Sequence, residues 1–128
     1  MSFSQTVTQG WSGNGRGYTA SKAYSADGSE SRDVSVPDSS TDLEVVIGID
    51  YDEVVNLFLY SDQDVTIETN SGSVPDDTIS LKAGVPLNWN ADSYFDNPLS
   101  ADVTSLFITN ASGAAATVRI EVLQDSTP

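Results

Sequence analysis

Alternation with a period of two is the feature that most constrains this chain, and it is clearest between Thr104 and Leu123. There the sequence reads TSLFITNASGAAATVRIEVL. Leu106 and Ile108 alternate with Phe107 and Thr109, and after Asn110-Ala111-Ser112-Gly113 the residues Val118, Ile120 and Val122 alternate with Arg119, Glu121 and Leu123. Successive side chains of a strand point to opposite faces, so this pattern predicts two strands with one face on a core and the other facing outward. The same reading extends backward. Leu43, Val45, Ile47 and Ile49 share a face, with Gly48 marking a bulge. Val54–Tyr60 is almost continuously apolar and reads as a central strand, and Val65–Thr69, Ile79–Leu81 and Leu87–Trp89 follow as shorter strands. Ala91–Asp102, with Asn97-Pro98, reads as loop or a single helical turn. No window sustains helical periodicity over three turns.

The N-terminal part is different in kind. Residues 1–41 are rich in Gly, Ser, Thr and Asp and poor in aliphatics. Phe3–Gln9 and Tyr18–Tyr24 alternate weakly and are expected to pair as a hairpin across a turn cluster at Gly10–Gly17 that carries Trp11. A short strand ends at Val34 and Val36 before Pro37. So little apolar surface cannot fold alone and must lie on other structure. The expected architecture is therefore all-β: an antiparallel, jelly-roll-like β-sandwich over 42–128. Residues 1–41 form a polar N-terminal hairpin or arm, packed on that core or on a neighbour. Turn signals at roughly 8–12-residue spacing support a sandwich or barrel.

Composition excludes several functions. The chain has 128 residues, enough for one self-sufficient core. It has no cysteine, which removes thiol catalysis, cysteine zinc sites and disulfides, and no histidine, the commonest general base and transition-metal ligand. The net charge is −14, from 19 acidic and 5 basic residues, and Arg16, Lys22, Arg32, Lys82 and Arg119 form no cluster. Nucleic acid and anionic membranes are thus not expected partners. Met1 is followed by a polar segment without the basic and apolar regions of a secretory signal.

The candidate sites are few. Asp50/Asp52/Glu53, Asp62/Asp64 and Asp76/Asp77 are acidic groups of the kind calcium takes, but none has the spacing of a known calcium loop, and Asp favours turns for its own hydrogen bonding. No metal or other cofactor is expected. Carboxylate pairs for glycoside cleavage arise by chance among 19 acids, and Lys22 and Lys82 lack the motif of a Ser-Lys catalyst. No enzymatic activity is expected. Asn110-Ala111-Ser112 matches a glycosylation sequon and reads as turn chemistry. Phe3, Trp11, Tyr18 and Tyr24 are the interface candidates, because large rings on a polar segment need a cover. Tyr94 and Phe95 are a further aromatic pair.

The closing strand, the Asn-Ala-Ser-Gly turn and the final V-R-I-E-V strand, in a small acidic cysteine-free chain, resemble the small β-sandwich virion proteins of tailed bacteriophages. The resemblance is strongest to capsid decoration (cement) proteins. It implies a structural protein on the outer capsid surface, made in the host cytoplasm, with the major capsid protein as partner and a homo-oligomer, a trimer, as its state. A carbohydrate-binding sandwich module of a phage tail or adsorption structure, using Trp11, Tyr94 or Phe95 as platforms, is the alternative expectation.

Overall fold

The computed structural model describes residues 2–126 and contains ten strands and one 3-10 turn, Tyr51–Glu53. Two long strands, β1 (Phe3–Gly13) and β2 (Arg16–Ala26), form a separate two-stranded sheet. The other eight are β3 (Gly28–Val36), β4 (Leu43–Ile49), β5 (Val54–Ser61), β6 (Val65–Thr69), β7 (Thr78–Leu81), β8 (Leu87–Asn90), β9 (Val103–Thr109) and β10 (Ala116–Gln124). They make two four-stranded sheets in the orders β3-β10-β5-β8 and β4-β9-β6-β7, antiparallel throughout. All consecutive strands of the eight change sheet except β6 and β7. This is the strand order of an eight-stranded jelly roll.

The period-two reading places the core correctly. Val118, Ile120 and Val122 are fully buried, as are Ile67 and Ile108 from the facing sheet, and they join Ile47, Leu57, Leu59 and Val103 in one cluster. β5 lies between β10 and β8, the central position its apolar run suggested. The β4–β9 register shifts between Val46 and Ile49, around Gly48. Burying each such aliphatic side chain contributes roughly 1.5–3 kcal/mol, and this is what holds the two sheets together.

Two expectations need correcting. A division at 41/42 does not follow the sheets, because β3 pairs with β10 over nine residues and Val36 sits fully buried in the core. The arm is β1 and β2 alone. Trp11 is also not on a flexible turn: β1 and β2 stay paired up to Gly13 and Arg16, leaving only Asn14-Gly15 as the loop. Asn14 and Gly15 have φ of 53° and 73°, the two positive values that a tight type I′ hairpin requires. The glycines at 10, 13 and 17 lie within strands.

Two asparagines organise loops. Asn110 is fully buried; its amide donates to the carbonyls of Val36, Pro37 and Ala114, and its side-chain oxygen accepts from the amide and hydroxyl of Ser112. The sequon is thus a structural clamp between β3 and the β9–β10 turn. Asn70, at φ 68°, accepts from the Thr104 amide and donates to Asp76 and to the Asp102 carbonyl.

Candidate interaction arm

Pairing in the arm runs without a break from Phe3–Ala26 to Gly13–Arg16. Strand alternation then sorts its side chains by parity. Phe3, Gln5, Val7, Gln9 and Trp11 share one face with Tyr18, Lys22 and Tyr24, while the other face holds only Ser, Thr, Gly and Ala. All four interface candidates, Phe3, Trp11, Tyr18 and Tyr24, therefore lie on one side.

That side rests on the outer face of the β3-β10-β5-β8 sheet only near its base. Asn56, the one polar interruption in the apolar β5 run and itself buried, donates to Gln5 at 2.7 Å and accepts from Asn88 at 2.8 Å. The Lys22 ammonium and the Tyr24 hydroxyl both bond Asp92, the latter at 3.0 Å, and the ammonium lies 5.5 Å from the Tyr24 ring centre. The Lys22 bond, followed by that from Tyr24, holds the Asp92 carboxyl below the usual carboxylate range, and Asp92 raises Lys22 in return. Leu123, an outward position of β10 by alternation, is fully buried where the arm crosses, and so is Ala26 nearly so.

Beyond this base the arm projects. From Thr8 to Ala23 nearly every residue is exposed, Trp11 to 60% and its cross-strand partner Tyr18 to 71%. The Trp11 ring lies along Gly13, 3.4 Å from where a β-carbon would stand. Phe3 and Tyr24 belong to the supported base, so the structure groups the candidates in pairs: two at the root and two near the tip.

Charge divides between the arm and the body. Residues 1–26 hold Arg16 and Lys22 and no acid, so all 19 acidic residues lie in the remainder with three basic ones. An open groove of about 1000 Å³ runs beside Gln5–Gln9 of β1, floored by Phe58 and Leu87 and bordered by Val85, Pro86 and Phe95. Tyr94, fully exposed, stands next to Phe95 on the loop after β8. Sequence reasoning missed Asn56 and Asp92, the residues that seat the arm; the lone Asn in VVNLFLY was the signal for the first.

The acidic turns behave mostly as turns. Asp62 accepts from the Thr117 amide, Asp64 from the Ala83 amide and Asp77 from the amide and hydroxyl of Ser100. The first group differs: Asp50 and Asp52 are joined by Asp102, remote in sequence, with carboxylate oxygens within 4.8 Å of one another. The hydrogen bond with Asp52, then partial desolvation and the Asp102 and Glu53 charges, push Asp50 up to about 7.

Comparison with protein-family models, with curated proteins and with solved structures finds no match to this chain.

Proposed function

We propose that this protein is a structural component of a tailed-phage virion, a decoration protein that binds the outer surface of the capsid and stabilises it, with the major capsid protein as its partner. The observation that carries the reading is the arm: a continuously paired two-stranded extension, anchored at its root, that presents Trp11 and Tyr18 outward and carries no acidic residue. A two-stranded hairpin is marginal in water by itself, so a projecting half with exposed rings is suited to being completed by a neighbour. The acidic jelly roll suits a solvated outer surface, and the non-acidic arm approaches other molecules without its repulsion.

The test is binding to purified, expanded, undecorated capsids, read by co-sedimentation. The informative truncation starts at Asp27, because a chain starting at Ser39 would also lose β3 and uncover β10. The arm-less chain is expected to keep the β-sandwich spectrum and to lose attachment. Undiminished decoration by it would remove the arm from the mechanism.

A carbohydrate-binding module of a phage adsorption or tail structure is the second reading, favoured by the exposed Tyr94 and Phe95 beside the groove. Glycan binding that is lost in Tyr94→Ala and kept in Trp11→Ala would put that reading first.

A further inference from the structure

The outer edge of β1 is unguarded. Because the hairpin closes on a two-residue turn, Gly13–Arg16 is a hydrogen-bonded pair, and alternation along the ladder turns the amides and carbonyls of Ser4, Thr6, Thr8 and Gly10 away from β2. Among the described residues, no backbone hydrogen bond ties these groups to the jelly roll. Exposed edges are normally protected by charge, proline or a bulge. β1 has no charged residue and no proline, and its register is unbroken, whereas β2 carries Arg16 and Lys22. The groove alongside Gln5–Gln9 leaves room for another strand.

The sequence of this edge says which strand. Gln5-Thr6-Val7-Thr8-Gln9 reads the same in both directions, and the symmetry continues outward in kind, Ser4 against Gly10 and Phe3 against Trp11. We propose that β1 pairs antiparallel with β1 of a second copy of this chain, about a two-fold axis through Val7. Thr6 then lies opposite the partner's Thr8 and Ser4 opposite the partner's Gly10. Those are the residues whose backbone groups point outward, so the hydrogen-bonded pairs fall where free donors and acceptors stand. Val7 meets the partner's Val7 at the close, non-hydrogen-bonded spacing, and Phe3 meets the partner's Trp11 as an aromatic cross-strand pair. Sliding the register by two residues keeps the bonds but sets Gln5 against Val7 and Phe3 against Gln9, losing every like pair on the Trp11 face.

The result is a four-stranded sheet shared by two chains, with the arm roots at opposite ends and both jelly rolls on the Trp11 side. Each projecting half-arm crosses the groove beside the partner's β1. A contact of this kind is isologous and closes on itself. It gives a dimer in place of the trimer implied by the phage resemblance, and it does not rest on a role in a capsid. The outer edge of β2 and the Ser/Thr face remain free for other contacts.

Purified full-length protein tests this directly. Light scattering after size exclusion is expected to give twice the 13.6 kDa of one chain. The absence of native cysteine permits a register test: across a non-hydrogen-bonded pair the α-carbons stand about 4.5 Å apart, within disulfide range. Val7→Cys is expected to form a disulfide-linked dimer on mild oxidation, and Gln9→Cys, which faces the partner's Gln5, is not. Thr8→Pro removes an outward amide and no β1–β2 bond, so it is expected to give a folded monomer with an unchanged circular dichroism spectrum, while Ser21→Pro on the β2 edge stays dimeric. A monomer at all concentrations, a trimer, or cross-linking of Gln9→Cys as fast as Val7→Cys would overturn the proposal.

Discussion

The jelly roll and the arm are both antiparallel β-structure, yet different forces hold them. Between the two four-stranded sheets the contact is mainly apolar, with Val118, Ile120 and Val122 against the facing sheet, and the central strands each have one face out of water. The arm has a complete backbone ladder but no apolar layer of its own, and it is seated by Gln5–Asn56, Lys22 and Tyr24 on Asp92, and the cover it gives Leu123. Hydrogen bonds each give only about 0.5–1.5 kcal/mol net, so the ladder fixes the shape of the arm without making it independently stable. A sheet that exposes both faces over half its length is a structure in want of a second surface. That contrast assigns stability to one region and recognition to the other.

Variants in the two regions should accordingly fail in different assays. The largest effect is expected from Ile120→Asp, which puts an unpaired charge into the fully buried centre of the sandwich; it is expected to abolish folding, seen as loss of the β circular dichroism signal and of a thermal transition. A soluble variant with unchanged melting temperature would show that the core does not depend on that strand face.

Asn110→Ala tests the clamp. It strips the buried turn of the side chain that serves three carbonyls and Ser112, and a loss on the order of 3 kcal/mol is expected in urea unfolding, with capsid attachment at saturation unchanged. Trp11→Ala is the converse. It should leave unfolding within about 0.5 kcal/mol, as an exposed substitution does. Attachment to capsids should weaken by on the order of 2 kcal/mol, through the contact the ring makes or through the second copy it holds. Equal losses in both assays for either variant would dissolve the division between the regions.

The smallest effect concerns pH. Asp50 is raised from 3.8 to about 7 in the folded protein, so its contribution is present at acidic pH and is lost as pH rises through about 7, where the folded state must ionise it beside Asp52 and Asp102. Asp50→Asn removes that penalty. Its melting temperature relative to the parent is expected to gain more above pH about 7 than near pH about 5. A gain that is flat with pH would mean the three carboxylates do not interact.

Much of the jelly roll was legible from residue order. Alternation marked both faces of β4, β6, β9 and β10, and the apolar run of β5 marked its interior position. The hairpin was legible too, but its turn was drawn too wide, because glycines at 10, 13 and 17 look like a loop while positive φ is needed only at Asn14 and Gly15. The four aromatic candidates were found by residue type. Their grouping into root and tip was not, since it depends on where Asn56 and Asp92 stand on the body.

Period two states whether a side chain points in or out, and that is a local property of an extended backbone, readable one strand at a time. It says nothing about which strand lies alongside, because pairing partners here are separated by up to most of the chain. Residue order alone therefore established the inward set of Val118, Ile120 and Val122, the pairing of the first two strands as a hairpin and the self-symmetric run from Gln5 to Gln9, while the two-residue turn at Asn14-Gly15 came from the structure. Only the tertiary structure decided that β3 belongs to the sandwich beside β10 and that Asn110 is buried against Val36. The same holds for Asp102, which joins Asp50, and for Leu123, which is covered by the arm rather than by water. In each case the neighbour comes from another part of the chain, brought near by burial of the common core.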